Sequence, residues 1–174
     1  MHRVVVTGSE CTGKTTLAAR LARRFRTARS LEFARIYAVR VARELTEEDV
    51  EPIARGQLAE EEAAIAVAHE RGAALVVLDT DLLSTVVYAR HYYGACPEWI
   101  EREAEARRAD LHLLCHPDVP WSPDGVRDRP TRREEIHQLF EAVLAKAGAR
   151  VVHLRGSWSE RDATADQAVE ELVR

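Results

Sequence analysis

The chain carries two hydrophobic rhythms. Val4-Val5-Val6, Leu75-Val76-Val77-Leu78, Leu111 to Cys115 and Val151-Val152-His153-Leu154 are short apolar runs bounded by charged or turn-forming residues. Such runs, rich in Val and Leu, mark strands buried on both faces of a parallel sheet. Ser30-Leu31-Glu32-Phe33 reads as a fifth, mixed strand. Between these runs the apolar spacing lengthens to three and four. Leu17, Leu21 and Phe25 share one face of a helix over 14–25, and residues 34–43 alternate apolar residues with Arg at helical spacing. Thr46, with Asp49 three residues on, forms a capping pattern, and Pro52 predicts a kink or restart before a long helix ending at Gly72. Further helices are predicted over 81–93, after Pro97, from the cap Thr131-x-x-Glu134 to Gly148, and from the cap Ser157-x-x-Glu160 onward. Strand and helix alternate throughout. The expected architecture is α/β, a five-stranded, mostly parallel open sheet with right-handed crossovers.

Composition narrows the class. A length of 174 residues, 46% hydrophobic and 31% charged, fits one globular domain over 1–174 and argues against disorder. A formal charge of −4 gives no reason to expect nucleic acid as a partner. Cys11, Cys96 and Cys115 are odd in number and lack metal-ligand spacing, so a reducing cytoplasm is expected. No apolar run is long enough to span a membrane and no secretory leader is visible, so no membrane association is expected. Only Lys14 and Lys146 are lysines among 25 basic residues, which draws attention to the first.

Lys14 lies in Gly8-Ser9-Glu10-Cys11-Thr12-Gly13-Lys14-Thr15, which fits G-x-x-x-x-G-K-[ST] between an apolar strand and an amphipathic helix. Glycines at its ends let backbone N–H groups curl around phosphate oxygens, and the helix N-terminus adds partial positive charge. Lys14 then reaches the β- and γ-phosphates, and the Thr15 hydroxyl is a Mg²⁺ ligand. Thr16 follows on the first turn. Cys11, inside the loop, reads as a small packing residue in preference to a redox switch.

Ligands in open α/β sheets sit at the carboxyl ends of strands, where three acids fall. Asp79 ends an apolar run in the position of a Mg²⁺-holding Walker B aspartate. Asp81 is either a helix cap or a hydrogen-bond partner of a substrate hydroxyl. Glu32 is either the base that accepts a hydroxyl proton or an ion-pair partner of Arg35. Gln57 beside Gly56, mid-helix, points to a ligand or to tight helix packing. His91-Tyr92-Tyr93 reads as packing.

Residues 117–130 hold four of the six prolines and a Pro123-Asp124-Gly125 turn signal. With Arg127, Arg129 and Arg132, a lid over about 117–133 is expected, its arginines neutralising phosphoryl charge on closure. The alternative is a solvated basic loop pairing with Asp124 and Asp128. Trp121 either anchors this segment or stacks on a planar substrate ring.

Together these motifs, with Ala54-Arg55-Gly56-Gln57, Asp79-Thr80-Asp81, Cys96-Pro97-x-Trp99, Pro117-Asp118-Val119-Pro120-Trp121, Asp124-Gly125-x-Arg127-x-Arg129 and Gly156-Ser157-Trp158, resemble the ribosylnicotinamide kinase domain of the NadR family. The resemblance covers nearly the whole chain. It implies a three-layer P-loop kinase fold, and an enzyme that phosphorylates nicotinamide riboside to NMN in NAD salvage with ATP and Mg²⁺. It implies that Gly8 to Thr16 and Arg127 bind nucleotide, that Thr15 and Asp79 hold metal, and that Trp158 and Arg161 lie near adenine. Glu32, Arg35, Gln57, Asp81 and Trp121 would line the acceptor pocket, with Lys14, Glu32, Asp81, Arg127 and Arg129 as catalytic residues. NadR proteins commonly carry an adenylyltransferase and sometimes a DNA-binding domain ahead of the kinase. Here the first strand starts near residue 3, so neither function is expected. A kinase of another nucleoside or vitamin alcohol, or a nucleotide-dependent switch ATPase, stays open, as does oligomeric state.

Overall fold

A computed structural model describes residues 1–120 and 132–174. Trp121, Arg127 and Arg129, with most of the expected lid, lie outside the described residues. β1 (His2–Gly8), β2 (Leu75–Asp79), β3 (Leu111–Cys115) and β4 (Val151–Leu154) form one parallel sheet in the order β2-β1-β3-β4. β1 is central, with Val4 opposite Val77 on one side and Leu111 on the other.

The described residues form four strands, not five. Ala28 O accepts from Val77 N and Ser30 N donates to Val77 O, so the chain meets β2 through a single bridge at Arg29. The Ser30 hydroxyl then accepts from Asp79 N at 3.0 Å, and Gln57 Oε1 accepts from Phe33 N at 3.0 Å. Side-chain acceptors thus take over from the ladder, and the chain turns directly into α2 (Phe33–Val41).

Alternation along the strands sorts the core. Val4, Val6, Leu75, Val77, Leu111 and Leu113 face α1 (Lys14–Arg24) and α7 (Trp158–Val173). Val5, Val76 and Leu78 face Ala64 and Ala68 of α3 (Val50–Glu70). Beside them α4 (Leu82–Tyr93), α5 (Glu98–Ala106) and α6 (Arg133–Lys146) pack around Ile100, Ile136 and Phe140, which are at most 2% exposed. The result is three layers, helix–sheet–helix.

The helix restarts at Val50, before Pro52, so Pro52 is a first-turn proline after all, although its distance from Thr46 places it too late for one. Thr46 caps a 3₁₀ turn, Glu47–Asp49, through a reciprocal capping box, and Pro52 falls in the first turn of α3, where no intrahelical N–H is needed. α6 begins after Arg132, which makes no side-chain cap; Thr131, the expected cap, lies outside the described residues. Ser157 and Glu160 cap α7 as expected. α2 differs from the other helices in burying none of its residues, and it leaves Ile36 and Val39 exposed. Its hold on the body is local: Gly56 lies so close to the Phe33 ring that a Cβ there would sit 2.0 Å from it. Tight helix packing is therefore the reason for that glycine. No described helix is long and apolar enough to cross a membrane.

Candidate functional site

The sheet order reverses around β1, because the chain crosses from β2 on one side to β3 on the other. That switch point opens a crevice at the carboxyl ends of the strands, and the loops after all four strands meet there.

Gly8 to Lys14 forms the floor. Gly8 (φ +132°) backs onto the Cys115 carbonyl, which a Cβ would meet at 2.5 Å, and Gly13 (φ +83°) is the N-cap of α1. Both positions require glycine. Cys11 also takes positive φ, 53°, and is partly buried. Thr12 Oγ1 and Lys14 Nζ both donate to Ser9 O at 2.8 Å, so the lysine is folded over its own loop. Thr15 and Thr16 are exposed on the first turn of α1.

Opposite lies Asp79, fully buried, and among the described residues no group hydrogen-bonds either carboxylate oxygen. Burial, then the Glu32 carboxylate, push its pKa up to about 6; the Thr15 hydroxyl, Lys14 and Arg29 oppose this. Two orphaned carboxylate oxygens facing a threonine hydroxyl are the hard oxygen donors a Mg²⁺ ion takes, so the residues present fit that ion.

Thr80, between the two acids, has φ 67°, which is unusual for a β-branched residue. It is held there by its N–H, which donates to Val6 O at 3.0 Å, and by its carbonyl, which accepts from Gln57 Nε2 at 3.4 Å. The turn aims Asp79 and Asp81 apart. Asp81 caps α4 through Ser84 N at 3.3 Å and meets His112 Nε2 at 3.0 Å through its other oxygen. It is not among the residues lining the adjacent cavity. Of the two roles open in sequence, the structure realises the cap.

That cavity, about 540 Å³, runs from the phosphate loop toward α2 and α4. Glu10, Glu32, Gln57 and Thr80 line its inner end; Glu44, Tyr88, Tyr92 and Tyr93 line the rest. Glu32 also lies 3.6 Å from Arg35 Nε, which realises the ion-pair reading. Gln57 lines the wall while both ends of its amide brace backbone. Tyr92 and Tyr93 read as packing in sequence; the spacing of Tyr88 and Tyr92, four apart on one helix, is the signal that their rings stack along one wall. Glu10 and Glu44 had no signal, since only the folded chain brings them to the cavity.

On the other side of the loop, Trp158 lies against Gly13 and is 55% exposed. Arg161 is buried: it donates to Gly156 O and His116 O, at 3.0 and 2.9 Å, and to the Asp118 carboxylate, and its Nη1 reaches Thr12 O at 3.5 Å. These bonds tie Arg161 to the segments after β3 and β4 and to Thr12 of the phosphate loop. A smaller cavity of about 100 Å³ lies between Trp158, Gly13 and Thr16.

Fold, phosphate loop and the acid at the end of β2 define a P-loop nucleotide-binding protein of the kinase-like α/β class. The family model described as an AAA domain matches residues 3–161, and the chain belongs to that family, in its NadR-like branch. It is 26% identical over 161 residues to the "Trifunctional NAD biosynthesis/regulator protein NadR" of Salmonella typhimurium, covering 89% of this chain and 38% of that protein. The Escherichia coli protein of the same name matches at 26% over 162 residues, again covering 38% of its length. Among solved structures, "NadR protein in complex with NR" superposes with a TM-score of 0.84 at 33% identity, over 98% of this chain and 51% of that one. "NadR protein in complex with NAD and AMP-PNP" gives 0.80 at 31%, over 98% and 49%. A thymidylate kinase from Ehrlichia chaffeensis shares the fold, with a TM-score of 0.68 at 12% identity over 98% of both chains. The chain thus spans about half or less of the NadR proteins it matches.

Proposed function

We propose that this chain is an ATP- and Mg²⁺-dependent kinase, acting as one domain, whose acceptor is a cationic nucleoside, nicotinamide riboside, converted to NMN. The observation that carries the acceptor is the cavity wall. Its described lining holds three carboxylates, Glu10, Glu32 and Glu44, three tyrosines, and no Lys, Arg or His. A ring bearing a permanent positive charge is stabilised by ring faces and carboxylates together, whereas an anionic acceptor is repelled. NadR structures carrying NR and AMP-PNP support the same reading.

The geometry supports an in-line transfer. The loop N–H groups and Lys14 hold the phosphates, the lysine exchanging its Ser9 carbonyl for phosphate oxygen. Asp79 and Thr15 would hold Mg²⁺, which when bound neutralises charge on the β- and γ-phosphate oxygens. Glu10 and Glu32 stand where the phosphate loop meets the acceptor cavity. Glu32 accepts the acceptor hydroxyl's proton as the new O–P bond forms and the β–γ bridge breaks, and Arg35 steadies its carboxylate. Gln57 and Asp81 position: one fixes the Thr80 turn and the start of α2, the other fixes α4. Trp158, exposed beside Gly13, stacks on the base of the nucleotide in this reading. Arg127, Arg129 and Trp121 are proposed, on sequence alone, to act from the lid.

Incubating the chain with ATP, Mg²⁺ and nicotinamide riboside should yield NMN, read by mass, and Lys14→Ala should abolish it while leaving the melting temperature close to wild type. The neutral dihydro form of the riboside, uridine and adenosine should be turned over far less well. Equal turnover of the neutral analogue would sink the cationic-acceptor reading while leaving a kinase. ATP hydrolysis unaffected by every acceptor would instead indicate a switch.

A further inference from the structure

Behind the phosphate loop, three histidines and a glutamate from three segments converge. His116 follows β3, His153 lies on β4, and His137 and Glu141 lie one turn apart on α6. His116 Nε2 and His153 Nδ1 are 2.8 Å apart, and Glu141 Oε1 is 3.7 Å from His153 Nδ1. One ligand atom each of His116, Glu141 and His153 fits within 4.8 Å of the others. Tetrahedral zinc with bonds of about 2.0–2.1 Å spaces its ligand atoms roughly 3.3 Å apart, so two of the three separations, 2.8 and 3.7 Å, already lie within about 0.5 Å of that spacing.

Two further observations point to a ligand. His137 is 2% exposed, and among the described residues neither of its ring nitrogens is hydrogen-bonded. Its Nε2 is 3.5 Å from the same Glu141 oxygen, and its ring centroid is 4.0 Å from that of His116. A buried imidazole without a hydrogen bond costs free energy that a pure packing role does not return. The second observation is tautomeric. Arg155 Nε, which can only donate, points at His116 Nε2 at 3.2 Å, so that nitrogen carries a lone pair and His153 Nδ1 supplies the hydrogen between the two rings.

We propose that His116, His153 and Glu141 form a binding site for one borderline transition-metal ion of the Zn²⁺ class, with His137 orienting the glutamate. Imidazole and carboxylate donors suit Zn²⁺, Ni²⁺ or Cu²⁺ rather than Mg²⁺. On binding, His153 passes its Nδ1 proton to solvent or to its own Nε2, and the exposed Arg155 swings away from His116. The site is separate from Asp79 and Thr15. It lies at the root of the loop whose His116 carbonyl and Asp118 carboxylate hold Arg161, and through it Thr12 of the phosphate loop. The ion's role is to brace that root, not to take part in phosphoryl transfer.

The test uses the tag-free, nucleotide-free chain. Titration calorimetry should show one equivalent of Zn²⁺, with a rise in melting temperature that millimolar Mg²⁺ does not reproduce. Co²⁺ should give a visible absorption band. His153→Ala should remove the Co²⁺ band and the Zn²⁺-induced rise, and Glu141→Gln should weaken binding tenfold or more. His153 is partly exposed, so its removal leaves the core intact. Absence of binding to the wild type, or binding that His153→Ala leaves unchanged, overturns the proposal; the latter would place the ion at the cysteines or at Asp79.

Discussion

Glu61 gives the sharpest test of how burial sets chemistry around the site. It lies on α3, 3% exposed, and among the described residues Oε1 has no hydrogen-bond partner. Burial first, and the Asp81 carboxylate second, push its carboxyl up from 4.5 to about 8, against a smaller pull from Arg107 and Arg3. Between those two values the folded chain holds a proton that the unfolded chain has released. Stability is therefore complete below pH 4.5 and falls as pH rises toward 8. At about 1.4 kcal/mol per pKa unit, the loss at pH 7 has an upper bound of about 3 kcal/mol, approaching 5 above pH 8. Glu61→Gln keeps the shape and removes the titration. Because a buried amide has its own desolvation cost, the variant should gain about 1–2 kcal/mol over wild type at pH 8, or roughly 2–8 °C in Tm. At pH 5 it should gain almost nothing. Thermal unfolding followed by circular dichroism at pH 5, 6, 7 and 8 measures this. If the difference between the two proteins stays flat across that range, Glu61 ionises as an ordinary glutamate and the burial argument fails.

Three other outcomes follow from the same geometry. Asp49, 2% exposed, accepts from both Arg43 Nη atoms, Tyr37 Oη and Thr46 N, and Arg43 first among these holds its carboxyl far below the usual range. Its contribution is present above the ordinary carboxylate pKa and lost only in strong acid, so Asp49→Asn should cost about 2–3 kcal/mol at pH 7, read in urea unfolding, and progressively less in acid. Gly56→Ala drives a methyl into the Phe33 ring, 2.0 Å from its nearest atom, and should cost about 1–3 kcal/mol; the acceptor KM should rise more than the ATP KM, and equal rises would mean that α2 does not shape the acceptor cavity. Trp158→Ala should raise the ATP KM with little change in kcat, whereas an unchanged KM would show that the ring only covers Gly13.

Much of the fold was legible because its signals are local. Strand cores such as Leu75 to Leu78, the stop at Gly94, the restart around Pro52 and the Ser157–Glu160 cap each depend on residues within a few positions of one another. The missed strand shows the limit. Residues 30–33 have strand-like composition, but Ser30 Oγ and Gln57 Oε1 supply acceptors from β2's neighbourhood and α3, and the backbone turns into a helix instead. The phosphate loop was legible for the same local reason, as was Asp79. The cavity beside the loop was legible only in part. Glu32 and Gln57 stood out as a strand-end acid and a helix polar residue beside glycine, whereas Glu10, Glu44 and the tyrosine wall meet only across the fold. Asp81 was legible as a helix cap, whereas its contact with His112, 31 residues away in sequence, comes only from the fold.

By itself the sequence determined that this is an α/β P-loop chain of the nucleotide-binding class, because the motif Gly8–Thr15 that marks it is made by eight consecutive residues. Tertiary structure decided what surrounds the loop. It put Trp158 against Gly13, buried Asp79 with its oxygens unbonded, closed an acidic, tyrosine-lined cavity beside Glu10, and gathered His116, His137, Glu141 and His153 behind it. The physical reason is that burial and charge proximity raise pKa values, orphan polar atoms and select ligands, and both belong to neighbours in space rather than along the chain.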